Sequence, residues 1–124
     1  MAQIKGKDTK AEILLRKLLF SRGFRFRTND KRLTGKPDIV FAGKRVCVFV
    51  DGDWWHGRNY EKESAKYPLF WQEKIKKNMA RDVAVNEQLS LDRWMVLRFW
   101  QKDIEKDLER IANSIIFILN RPNG

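Results

Sequence analysis

Ala11, Leu14, Leu15, Leu18 and Leu19 recur at helical spacing, with Arg16, Lys17 and Arg22 on other faces, which predicts an amphipathic helix ending near Gly23. "TKAE" opens it: Thr9 is placed to cap the helix and Glu12 to reach back to the Thr9 amide. "FRFRT" then alternates apolar and basic side chains, the pattern of a half-buried strand, and leads into the polar connector "NDKRLTGKP". "DIVFAGKRVCVFVDG" predicts two short central strands turning near Gly43. Val46, Val48 and Val50 share one face of the second strand, and Cys47, Phe49 and Asp51 share the other.

A polar loop over residues 57–67 precedes Pro68 and "FWQEKIKKNMARDVAVNEQL", which predicts a long helix. Trp71, Ile75, Met79 and Val83 mark its inner face, with Lys74, Lys77 and Arg81 as a basic stripe beside it. "WMVLRFW" predicts a strand. A last helix is expected from about Asp103 to Leu119, its core face carried by Ile104, Leu108, Ile111, Ile115 and Ile118, with "NRPNG" stopping it. The order helix, three strands, helix, strand, helix predicts an α/β fold: a mixed sheet flanked by helices. With 124 residues, no internal repeat and no long linker, one domain over residues 1–124 is the expectation.

Composition narrows the class. No apolar run approaches the roughly 20 residues of a bilayer span, and "MAQIKGKDTK" lacks a signal-peptide core, so a cytoplasmic protein without membrane contact is expected. The single cysteine, Cys47, permits no internal disulfide and no zinc site built mainly from thiolates. The net charge is +10, and residues 1–36 hold eleven Lys/Arg against three Asp/Glu. A polyanion is the natural partner, and nucleic acid suits such a surface better than a small acidic ligand.

Candidate chemistry is concentrated in "GKPD" and "DGDWWHG". Pro37 fixes the backbone entering a strand, so Asp38 is displayed in a defined direction, and a rigid carboxylate suits Mg²⁺, which takes hard oxygen ligands. Asp51 lies one strand, a turn and a neighbouring strand further on, which allows the two acids to approach each other around a cation. Asp53 either joins them or caps the turn with Gly52. His56, the only histidine, has the ordinary pKa of a general acid or base near neutrality. Trp54 and Trp55 are consecutive, so on a strand they would face opposite sides. One of them, and Trp71, either anchors the core or stacks on nucleic-acid bases.

Taken together, "GKPDIV", "VFVDGDWWHG", "FWQEKIKKNMARD" and "WMVLRFW" resemble the very short patch repair (Vsr) DNA mismatch endonucleases, a branch of the PD-(D/E)XK nuclease superfamily. The resemblance spans about residues 5–110 and implies a restriction-endonuclease-like fold. It also implies a Mg²⁺-dependent enzyme, with Mn²⁺ as a substitute, that nicks one strand beside the thymine of a T:G mismatch. The expected partner is double-stranded DNA, mismatched or distorted, bound by a monomer. Asp38 matches the metal-binding aspartate, Val50 a residue that offers its carbonyl to the metal, His56 the histidine thought to activate water, and Glu12 an acid supporting the site. Trp54, Trp55 and Trp71 match an aromatic wedge, and Lys74, Lys77 and Arg81 are placed to hold the DNA backbone.

Two departures stand out. Asp53 occupies a position where relatives with structural zinc carry a ligand, so no zinc is expected. Asp51 replaces a second active-site histidine, which makes it a candidate catalytic and metal-binding acid, and Gly52 and Asp53 stand where the superfamily usually has a lysine. Glu12 retains two readings, catalytic acid and helix cap. A sequence-specific phage, homing or restriction-type nicking enzyme and a non-catalytic DNA-binding module are the alternative functions.

Overall fold

The protein is described by a computed structural model over residues 9–122. The elements are α1 (Lys10–Ser21), β1 (Arg27–Thr28), β2 (Ile39–Phe41), β3 (Val46–Asp51), α2 (Tyr60–Glu63), α3 (Leu69–Leu91), β4 (Met95–Trp100), α4 (Gln101–Lys106) and α5 (Leu108–Leu119). They form a four-stranded sheet in the order β1-β2-β3-β4. The first three strands are antiparallel neighbours, and β4 returns parallel to β3 after α3 crosses over. Val46 pairs with Met95 and Asp51 with Trp100, so both parallel strands end at the same edge. In open sheets of this kind the carboxyl ends of parallel strands are where ligands bind. This mixed sheet with flanking helices is a restriction-endonuclease-like arrangement.

The alternation along β3 determines the two layers. Val46, Val48 and Val50 pack with Leu15 and Leu19 of α1, Ile104 of α4 and Ile111 and Ile115 of α5. Cys47 and Phe49 face the other way, onto Val85 and Leu89 of α3. All six β3 residues are consequently buried, as expected of a central strand covered on both faces. Among the described residues no helix is long and apolar enough to cross a membrane.

Four expectations need correction. The strand over "FRFRT" shrinks to two residues, because Phe24 and Phe26 serve the core instead of the ladder; Phe26 meets Phe41 edge-on at 5.8 Å between ring centroids. The polar loop 57–67 contains α2 and a 3₁₀ turn at Ser64–Lys66. The last helix is two, beginning at Gln101 and broken at Asp107, whose backbone (φ −126°, ψ 46°) leaves the helical region; Leu119 takes the buried place expected of Ile118, which is half-buried.

The inner face of α3 is also rotated from the expected one. Val83 is 56% exposed, whereas Ile75, Val85 and Leu89 are buried. Continuing from Ile75 at helical spacing gives Asn78, Asp82 and Asn86 before Val85 and Leu89 complete the stripe, so polar residues occupy inward positions. An apolar pattern alone does not register such a face.

Ile75→Ala is expected to cost about 2–5 kcal/mol of folding stability, and Val83→Ala to stay within about 0.5 kcal/mol, measured by chemical denaturation. Equal losses would contradict this orientation of α3.

Candidate active site

Asp38 stands just before β2. That strand begins at Ile39, opposite Val48, while β3 continues to Asp51, so Val50 has no residue of β2 to pair with. The Asp38 side chain fills the gap: the Val50 amide donates to its Oδ2 at 2.6 Å. A residue in a strand directs its N–H and C=O to the same edge, so the Val50 carbonyl projects beside this carboxylate. Backbone geometry before Asp38 is equally constrained. Gly35 (φ 78°) and Lys36 (φ 51°) are both left-handed, and a Cβ on Gly35 would lie 2.6 Å from Val85 Cγ1.

Burial raises the pKa of Asp38 to about 7; the Val50 hydrogen bond opposes this, while the charges of Glu12 and Asp51 add to it. Glu12 is 2% exposed and accepts from Arg16 Nη2 at 3.0 Å. Its amide also donates to Thr9 Oγ1 at 3.3 Å, so the Thr9 half of the expected cap is present, while its side chain lines the same groove as Asp38.

His56 is held from α3. Its Nδ1 lies 2.6 Å from Asp82 Oδ2 and 3.8 Å from Asp51 Oδ1. With Asp82 ionised, Nδ1 carries the proton and Nε2 keeps its lone pair for a substrate-side proton. Burial lowers the imidazole pKa, but the Asp82 hydrogen bond and the Asp51 and Asp82 charges together outweigh it, so the net shift is upward. Arg98 of β4 closes this cluster: Nη1 donates to Asp51 Oδ1 and Oδ2 at 3.0 and 3.2 Å and lies 3.5 Å from Asp82 Oδ1. Its Nε donates to Asn86 at 2.7 Å and its guanidinium sits 4.1 Å from the Phe49 ring centre. Burial raises the Asp51 pKa against the opposing pull of Arg98 and His56.

Two arrangements of acidic groups therefore bear on metal binding. Asp51, His56 and Asp82 offer atoms within 4.8 Å of one another, but Arg98 already supplies positive charge to both carboxylates there. Around Asp38 the donors are hard oxygens, and its pKa stays raised by burial and by the neighbouring acids although Arg16, bonded to Glu12, pulls it down. The donor set at Asp38 fits a divalent hard cation.

Trp54, Trp55 and Trp71 gather in one cluster, which a strand continuing through residues 54 and 55 would not allow. The strand ends at Asp51, and the turns that follow place Trp54 and Trp55 side by side, their ring centroids 5.9 Å apart and planes 29° from parallel. Trp71 meets them edge-on at 5.4 and 6.0 Å. Gly57 (φ 75°) allows this segment to lie against α3, since a Cβ there would stand 2.5 Å from Met79 Sδ. Asp53 acts in the turn and beyond it: Oδ1 accepts the Lys102 amide in the first turn of α4 and Oδ2 accepts from Arg58 at 2.7 Å.

An open groove of about 1650 Å³ collects Glu12, Asp38, Val50, Asp51, His56, Trp54 and Trp55, together with Arg81 and the unpredicted Asp82 and Arg98. Trp71 adjoins it through its tryptophan contacts. Lys74 lies over the Phe70 and Trp71 rings at 4.8 and 5.9 Å, and Lys77 is exposed on the same helix.

Residues 1–62 match the family model described as DNA mismatch endonuclease Vsr. The chain is also 40% identical over 119 residues to the type II nicking enzyme V.HpaIIP of Haemophilus parainfluenzae, covering 92% of this chain and 83% of the relative. It belongs to the Vsr endonuclease family. Other relatives include the type II nicking enzyme V.NmeDIP of Neisseria meningitidis serogroup C, 39% identical over 93% of this chain and 80% of that one. The DNA mismatch endonuclease Vsr of Escherichia coli is 37% identical over 82% of this chain and 66% of that one. Membership makes the chain an enzyme of the endonuclease class.

In this Vsr-family chain, Asp82 and Arg98 are the site residues that sequence reasoning missed. Asp82 had a signal: it stands seven residues after Ile75 and three before Val85, an acid on the inward stripe of a helix. For Arg98 the signal was a charge within "WMVLRFW", paired opposite Phe49 on a central strand.

The raised pKa of Asp38 has a measurable consequence without metal. The folded carboxyl binds its proton more tightly than the unfolded one, so stability falls as pH rises from about 4 to 7. His56 adds to the fall above its unfolded value of about 6.5. In chelator, Asp38→Asn is expected to flatten the lower part of that slope in denaturation midpoints; an unchanged slope would contradict the buried charge assigned to Asp38.

Proposed function

We propose that the chain is a Mg²⁺-dependent endonuclease of the PD-(D/E)XK kind, accepting Mn²⁺, that nicks one strand of double-stranded DNA beside a T:G mismatch. It acts as a cytoplasmic monomer. The observation carrying this reading is that buried Asp38 and the His56–Asp82 pair open into one groove bordered by tryptophans.

Asp38 and the Val50 carbonyl, with Asp51 nearby, would hold the metal. Such an ion, when bound, stabilises charge on the phosphate and lowers the pKa of a bound water. His56 takes the proton of the attacking water at Nε2, and Asp82 holds the imidazole in the required tautomer. Arg98 keeps Asp51 and Asp82 in place. Glu12 supports the acid cluster from α1. Trp54, Trp55 and Trp71 favour distorted DNA because unstacking costs least there. Lys74, Lys77 and Arg81 hold backbone phosphates, which positions the duplex without reading its sequence.

A second reading is favoured by relatives whose names are type II nicking enzymes: nicking at a specific sequence in fully paired DNA. End-labelled duplexes, one T:G-mismatched and one paired in the same sequence context, separate the two. The mismatch reading predicts nicking of the first alone, dependent on Mg²⁺. Equal cutting of both selects the second reading, and no cutting in Mg²⁺ or Mn²⁺ contradicts both.

Folded Asp38→Ala and His56→Ala proteins are expected to lose at least about 100-fold in nicking rate while still binding DNA, and Asp82→Asn to lose about 10–100-fold through kcat. Retention of wild-type rate by His56→Ala would remove it as the base.

A further inference from the structure

The loop between β1 and β2 was predicted as a mere polar connector, yet it is tied down at five points. The Asn29 amide donates to the Asp38 carbonyl and the Asp30 amide to the Pro37 carbonyl, closing the base. Within the loop, the Leu33 amide donates to Asp30 O and the Lys36 amide to Leu33 O. Leu33 packs against the layer formed by Val40, Cys47, Phe49, Val85 and Leu89. Gly35 presses against Val85. Finally Asp30, only 9% exposed in a loop of mostly exposed residues, takes the Arg32 amide and Nε on Oδ1 and Nη2 on Oδ2, each at 3.0 Å.

That clasp has a specific effect on charge. Arg32 is held against Asp30, and Arg27 also lies 3.8 Å from it. Lys31 and Lys36 are exposed and line the groove that contains Asp38, with Asn29 between β1 and the loop. Lys36 stands two residues before Asp38 and lines the same groove.

Resting on the functional reading above, we infer that the loop 29–36 is a preorganised phosphate clamp, with Lys31 and Lys36 gripping the DNA strand beside the scissile bond and Asp30 as its positioning residue. A rigid loop loses little entropy when it binds, so its two lysines contribute more than equally exposed cations elsewhere.

The test uses anisotropy of a labelled duplex in EDTA, over a range of salt, with nicking measured separately in Mg²⁺. Lys31→Gln and Lys36→Gln are each expected to lower the slope of log K against log salt by about one unit. Lys44→Gln, in the turn at the far end of β3, should leave it unchanged. Asp30→Ala discriminates most sharply. Removing an acid from a basic protein raises affinity for DNA if net charge alone matters, whereas loss of the clasp weakens binding and lowers kcat/KM despite the added positive charge. Asp30→Asn keeps an acceptor for the Arg32 amide and should recover part of the loss. Thermal midpoints confirm that each variant is folded. Tighter binding by Asp30→Ala, or equal slopes for Lys31→Gln, Lys36→Gln and Lys44→Gln, would overturn the clamp while leaving a nicking enzyme intact. Failure of the wild type to bind or nick any duplex would instead strike the functional reading itself.

Discussion

The hydrogen bond from the Val50 amide to the Asp38 carboxylate is the contact on which the rest of the site depends. It exists because β3 outlasts β2, leaving a strand edge with an unpaired donor that an acid after a proline is placed to accept from. One bond thereby aligns the start of β2 with the end of β3 and draws a carboxylate into a buried position. It also leaves that carboxylate close to Glu12 and Asp51, whose charges raise its pKa. Burying an acid among acids is costly, and the Arg16 guanidinium on Glu12 offsets that only in part, since the Asp38 pKa stays raised.

The neighbouring cluster meets the same electrostatic problem differently. Asp51 and Asp82 share Arg98, which Asn86 orients and Phe49 supports, and Asp82 uses its other oxygen to fix His56. The groove is thereby divided: on the Asp38 side the protein's cation is Arg16, bonded to Glu12, while on the other Asp51 and Asp82 share Arg98 beside an oriented imidazole. Such a separation suits a site in which one region binds a cation and another moves a proton. The turns after β3 join the two, because Gly57 lets the backbone lie on α3 and brings His56 to Asp82.

Much of this was legible in the sequence, for reasons that can be named. The alternation through Val46–Asp51 gave both faces of β3, and the proline before Asp38 marked a carboxylate with a fixed direction. Three features escaped it. Helical periodicity tracks apolar side chains, so it placed Val83 inward and passed over Asp82, whose inward position serves the groove and not the core. Alternation alone would set Trp54 and Trp55 on opposite faces of a continuing strand; the turns after Asp51 bring them to the same side. The clasp of Asp30 on Arg32 looked like ordinary loop polarity, since a short-range ion pair leaves no periodic trace.

A crystal structure with a duplex and Ca²⁺, an oxygen-seeking ion, tests the division of the groove most directly. The account predicts the ion against the Asp38 carboxylate and the Val50 carbonyl, with His56 Nε2 facing a water beside the phosphate and Nδ1 still on Asp82. An ion seated among Asp51, His56 and Asp82, with the imidazole as its ligand and Arg98 displaced, would contradict it.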